Sequence, residues 1–165
     1  MEISIRHYEK TDNADLFEIY RLPEVTANTS QLPYINSDKV EELFDNPENY
    51  TLVAEVDNRV VGHVTLFLTN KVRDRHAAFL AIAVHPSSQG KGVGRYLMEQ
   101  AIEQADNWLN LVRLELEVHV DNEAACALYQ KVGFETEGIK RLSTFKAGKY
   151  IDMVLMSRIK PCAQS

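Results

Sequence analysis

Between Arg113 and Val120 the residues alternate. Leu114, Leu116, Val118 and Val120 face one way, while Arg113, Glu115, Glu117 and His119 face the other, which is the period of a half-buried strand. Asp121 or Asn122 then stands where a side-chain oxygen can cap a helix, and Ala125, Leu128, Tyr129 and Val132 recur at helical spacing. Gly133 sits where a left-handed helix end is wanted, and Phe134 opens the next strand. Earlier, Phe79 to Val84 is an almost unbroken apolar run, as expected of a strand covered on both faces. After it Val93, Leu97, Ala101, Ile102, Ala105 and Leu109 make an inward helical stripe.

The remaining periods complete the order. Ile3 and Ile5 mark a first strand, and Thr11 opens a helix carrying Leu16, Ile19 and Tyr20. A loop from Pro23 to Pro33 follows, and Ser37 caps a second helix with Val40, Leu43 and Phe44. Leu52 to Val56 and Val60 to Leu68 predict a hairpin across Asp57-Asn58-Arg59; Ile139 to Lys146 and Tyr150 to Arg158 predict another around Ala147-Gly148. Strand, two helices, three strands, helix, strand, helix and two strands predict an α/β domain over residues 1–160, with 161–165 a short tail.

The segment that carries chemistry is Val84-His85-Pro86-Ser87-Ser88-Gln89-Gly90-Lys91-Gly92-Val93-Gly94-Arg95. Alternate glycines remove side chains where the amides of a helix start point at an anion, and Lys91 and Arg95 add positive charge. The turn therefore reads as a phosphate cradle. A P-loop requires Gly-Lys-Ser or Gly-Lys-Thr, and neither occurs. Glycines at 90, 92 and 94 give G-x-G-x-G, not the G-x-G-x-x-G of a dinucleotide fingerprint, although Glu115 and Glu117 lie near the acidic position that fingerprint needs. A third pattern, Gln/Arg-x-x-Gly-x-Gly/Ala, is met in full by Gln89, Gly92 and Gly94.

That third pattern is the pyrophosphate signature of the GNAT N-acetyltransferase superfamily, which the chain resembles. A second block resembles the superfamily's later motif, Asn-x-x-Ala-x-x-Leu-Tyr-x-x-x-Gly-Phe, at Asn122, Ala125, Leu128, Tyr129, Gly133 and Phe134. Within the superfamily the chain is similar to bacterial L-amino acid N-acetyltransferases. That likeness rests on Pro23-Glu24-Val25 with Asn28-Thr29, on Asp106-Asn107-Trp108-Leu109, and on Gly148-Lys149-Tyr150-Ile151-Asp152.

The resemblance implies a central mixed sheet with helices on both faces and acetyl-CoA as co-substrate. It implies pairing of the cofactor arm with the backbone of Ile82, Ala83 and Val84, and a pyrophosphate held by Gln89, Gly90, Lys91, Gly92, Val93, Gly94 and Arg95. Asn122 matches a position that bonds the cofactor arm, though helix capping suits it equally. Tyr129 resembles the family's general acid, protonated at neutral pH because a phenol titrates near 10. Many relatives carry a base on the strand entering the cradle, but here that strand, Ala77 to Val84, holds no titratable side chain. Glu117 is the candidate base, with His119 beside it; both also suit a solvated strand face. An α-amine, titrating near 8, would need little help from either. The Pro23–Pro33 loop would cover the acceptor, Arg73, Arg75 and His76 could meet a carboxylate, and Trp108 reads as a packing residue.

Composition narrows the picture further. The chain has 165 residues, enough for one core without staples, and a net charge of −6 that disfavours a general nucleic-acid binder. No eighteen-residue apolar run and no leader pattern are present, so neither a membrane nor a secretory route is expected. Cys126 and Cys162 form no metal or redox spacing; no metal is expected, and a reducing cytoplasm suits the two thiols. The expected partner is a small-molecule amine, and the family implies a homodimer.

Three functions stay open at this level. The first is an N-acetyltransferase acting on an amino-acid α-amine, a polyamine or a protein N-terminus. A non-catalytic acetyl-CoA sensor and a dinucleotide oxidoreductase are the other two.

Overall fold

The computed structural model describes residues 1–161, which places Cys162 and the rest of the expected tail outside the described residues. Seven strands form one sheet in the order β1-β2-β3-β4-β5-β7-β6. They are β1 (Ser4–His7), β2 (Asn49–Val56), β3 (Arg59–Phe67), β4 (Ala77–Val84), β5 (Arg113–His119), β6 (Glu135–Lys146) and β7 (Lys149–Ile159). All neighbours are antiparallel except β4 and β5, which run parallel across α4 (Val93–Asn107). A parallel pair needs a crossover of this kind, whereas the antiparallel pairs β2–β3 and β6–β7 close through tight turns. In both hairpins the turn is two residues long with positive φ at each: Asp57 (51°) with Asn58 (63°), and Ala147 (50°) with Gly148 (81°). These turns match the right-handed twist of the strands they join.

The sheet separates two cores. On one face α1 (Asn13–Tyr20) and α3 (Ser37–Phe44) bury Leu16, Ile19, Tyr20, Val40 and Phe44 against Val53, Val60 and Ala83. On the other, α4 and α5 (Glu123–Lys131) bury Leu97, Met98, Ala101 and Tyr129 against Leu66, Leu80, Leu114, Leu116 and Met156. β5 alternates as its sequence predicts, with Leu114, Leu116 and Val118 buried toward α4 and α5.

Several boundaries differ from the sequence reading, each for a local reason. Thr11 lies in a 3-10 turn (Lys10–Asp12), where Arg6 holds the Asp12 carboxylate with two bonds of 2.8 and 2.9 Å. Asn36, not Ser37, caps α3, accepting the Lys39 amide at 2.8 Å. The Pro23–Pro33 loop contains one helical turn, α2 (Pro23–Thr26), because Pro is tolerated at the first position of a helix. α4 ends at Asn107, so Leu109 lies beyond its stripe, and Trp108 is 74% exposed, not packed. The last hairpin begins at Glu135, earlier than Ile139, and a register shift between Lys140 and Thr144 hides the period that would have announced it.

Candidate active site

β4 and β5 pair only at Ala77–Arg113, Ala78–Leu114 and Phe79–Glu115, then part. From Leu80 to Val84 the β5-facing edge of β4 has no strand partner among the described residues, so its amides and carbonyls are left for a ligand. The strand expected to be covered on both faces is only half covered, and the gap explains it. A cavity of about 970 Å³ runs through this gap and is lined by Phe79 to Val84, by Leu116 to His119, and by Asn122, Leu128 and Tyr129.

At one end of the cavity lies the cradle. Gly90 (φ 73°) and Gly92 (φ 86°) adopt the left-handed conformation that only glycine takes without strain. Gly92 opens α4 with no side-chain cap, and the first backbone bond is from Tyr96 N–H to the Gly92 carbonyl at 3.0 Å. The amides of Val93, Gly94 and Arg95 therefore remain at a positive helix end, the geometry an anion needs. Gly94 serves a different purpose: a Cβ there would stand 3.3 Å from Leu128, so its absence lets α4 approach α5.

The expected cradle residues divide. Gln89, Gly90, Gly92, Gly94 and Arg95 line the cavity, whereas Lys91 is exposed off its wall and the Val93 side chain is buried in the core. Gln89 spends its side-chain amide on the Val84 carbonyl at 3.0 Å, bracing the turn against β4. Arg95 bonds Glu99 at 2.8 Å on the open surface. His85 belongs to the turn, its Nδ1 accepting the Ser87 amide at 3.1 Å. Asn122 caps α5 through the Ala125 amide (3.3 Å) and also lines the cavity.

Tyr129 is buried against Phe134, with ring centroids 6.2 Å apart, and burial pushes its hydroxyl up to about 12. Across the gap, Glu117 and His119 share a face of β5. Glu117 Oε1 accepts from Lys140 Nζ at 2.7 Å. His119 is 6% exposed, its Nδ1 has no partner among the described residues, and burial, aided by Lys146, lowers its pKa.

The other end of the cavity is walled by residues that sequence periodicity could mark only as core or loop. Tyr20, Phe44, His63 and Thr65 come from α1, α3 and β3, and Glu24, Asn28 and Gln31 come from the segment after α1. A buried His and Thr on a strand that already reads as apolar carried no signal of a site. Arg75 and His76 are elsewhere, in a smaller hollow of about 440 Å³ with Leu109 and Leu111. Among the described residues no three His, Cys, Asp or Glu gather as a metal site, and no helix is long and apolar enough to cross a membrane.

Comparison with known proteins agrees with this geometry. Residues 13–134 match the acetyltransferase (GNAT) family. The L-amino acid N-acetyltransferase AaaT of Escherichia coli (strain K12) is 40% identical over 160 residues, covering 96% of this chain and 99% of that one. An acetyltransferase of the GNAT family from Streptococcus pneumoniae superposes with a TM-score of 0.83 at 31% identity, over 96% of this chain and 100% of the other. Spermidine N-acetyltransferase from Vibrio cholerae, solved with CoA and spermine, gives 0.85 at 27% identity, over 95% of each. With the matched family model, the 40% identity over nearly the whole chain and the shared fold, the chain belongs to the GNAT family of acetyl-CoA-dependent N-acetyltransferases.

Proposed function

We propose that the protein moves the acetyl group of acetyl-CoA to the α-amine of a free L-amino acid. The observation that carries this reading is the single cavity joining the cradle of α4 to the wall formed by α1, α3 and β3. It would place a thioester held along β4 beside an amine entering under the segment after α1. The 40% identity to an L-amino acid N-acetyltransferase over nearly the whole chain supports the choice of acceptor.

Each residue then has a defined task. The amides of Gly92 to Arg95 bind the pyrophosphate, with Gly90 and Gly92 shaping the turn and Gln89 holding it to Val84. The free backbone of Ile82, Ala83 and Val84 pairs with the cofactor arm and polarises the acetyl carbonyl. Asn122 caps α5 and borders the same arm. Tyr129 remains protonated across the working range because burial raises its pKa, so it can donate to the departing thiolate. Glu117 receives the amine proton on Oε2, since Lys140 occupies only Oε1. An α-amine is already partly neutral near pH 8, so this weak base suffices.

Release of CoA with a thiol reagent, measured on the twenty L-amino acids, spermidine and N-terminal peptides, tests the reading. Turnover concentrated on free amino acids is expected. Turnover confined to spermidine or to peptides would overturn it.

A further inference from the structure

Tyr20, His63, Thr65 and Thr51 form a buried chain that the acetyl transfer above leaves unused. The Tyr20 hydroxyl lies 2.7 Å from His63 Nε2, His63 Nδ1 lies 3.1 Å from Thr65 Oγ1, and Thr65 Oγ1 lies 2.9 Å from Thr51 Oγ1. Tyr20 is 6% exposed and the other three are 2% exposed. Tyr20, His63 and Thr65 line the acceptor end of the cavity, whereas Thr51 does not.

The hydrogens can be counted. Burial lowers the His63 pKa to about 3, so the ring is neutral and carries one N–H. Three hydroxyls and that N–H supply four donors, while the chain has three links to absorb them. One donor is left over. Both ring nitrogens are engaged, so the spare proton sits on Tyr20, Thr65 or Thr51. On Thr51 it would be sealed in the sheet without an acceptor, the costly case of an orphaned buried donor. On Tyr20 or Thr65 it faces the cavity. The cost of burial thus orders the chain outward from its sealed end.

From this count we infer that the chain presents one neutral hydrogen-bond donor, at Tyr20 or Thr65, to the acceptor, and that it recognises the carboxylate of the amino acid. This inference rests on the amino-acid reading above. A carboxylate oxygen satisfies the donor when the acceptor displaces solvent. An otherwise identical amine without the carboxylate leaves it unpaired, and a site built to bond a group discriminates strongly against analogues that lack it. The chain therefore acts on selectivity, through binding, and not on the acetyl carbon.

The test compares kcat/KM for the best amino acid with that for the amine in which hydrogen replaces its carboxylate, in the wild type and in Tyr20→Phe, Thr65→Val, Thr65→Ser and Thr51→Val. The expected result is that Tyr20→Phe or Thr65→Val lowers the amino-acid preference by about tenfold or more, mainly through KM, as loss of a bond to a charged group should. Thr65→Ser, which keeps the hydroxyl, and Thr51→Val, at the sealed end, retain the preference. If Tyr20→Phe and Thr65→Val both fold yet slow amino acid and amine alike, the chain is structural and the inference falls. Should one of these two variants not fold, the wild type still decides: turnover of the amino acid no faster than of the amine lacking the carboxylate overturns the inference. Wild-type turnover of spermidine or peptides with no free amino acid would overturn both the proposed function and this inference.

Discussion

Lys146 Nζ donates to Asn28 Oδ1 at 3.0 Å, joining two residues 118 positions apart. The same ammonium reaches Asp121 at 3.2 Å, immediately before the cap of α5. One side chain from the tip of the β6–β7 hairpin thus ties the segment proposed to cover the acceptor to the end of β5 beside the cavity. Lys146→Met should loosen that segment and raise KM for the acceptor several-fold while leaving kcat nearly unchanged. The contacts are surface ones, so the melting free energy should fall by no more than about 1 kcal/mol. Steady-state kinetics with a thermal melt would check both numbers.

Tyr129→Phe removes the proposed acid without removing the ring that packs on Phe134. The expected loss is about 10²–10⁴-fold in kcat, with little change in acetyl-CoA affinity. Because the hydroxyl titrates near 12, the wild-type rate should show no descending limb up to pH 10. A limb near 9 or 10 that disappears in the Phe variant would contradict the buried assignment.

Gly92→Ala meets no neighbour within 4 Å, so its whole effect comes from holding a Cβ at φ 86°. That conformation costs an alanine about 1–2 kcal/mol. The turn should relax out of the cradle geometry and bind CoA about tenfold more weakly by calorimetry, since each 1.4 kcal/mol is a factor of ten. Gly94→Ala should instead disturb the α4–α5 contact through Leu128, with a smaller effect on affinity.

His63 makes stability depend on pH in a defined direction. Its folded pKa is depressed to about 3, while the unfolded side chain titrates near 6.5. Below about pH 6.5 the unfolded chain therefore takes up a proton that the folded chain refuses, and stability falls as pH drops toward 3. This one group sets a slope of at most about 1.4 kcal/mol per pH unit. Urea melts from pH 7 to pH 5 should show it, and His63→Gln should flatten the curve by that amount.

The periodic parts of the chain were legible without a structure. The alternation of Leu114, Leu116 and Val118, the stripe of α4 and the Gly92-x-Gly94 turn are local patterns, and each sits where its period placed it. Boundaries were less legible, because capping depends on which side chain reaches which amide: Asn36 wins over Ser37 by accepting from Lys39. Trp108 was read wrongly for a related reason, since residue type suggests burial but only the end of α4 decides which way a side chain leaves it.

The sequence by itself determined the α/β order and the glycine turn, because helix period, strand period and glycine spacing are properties of neighbouring residues, and its two motifs carry the resemblance to the family. Tertiary structure alone decided the cavity wall formed by α1, α3 and β3. Thr51 and Thr65 are cross-strand partners and Tyr20 arrives from a helix 43 residues before His63, so no local pattern could have linked them. It also decided that β4 and β5 part after Phe79–Glu115. Hydrogen bonds between distant segments, and the separation of two strands, arise only when the sheet is assembled and its two faces are covered by different helices.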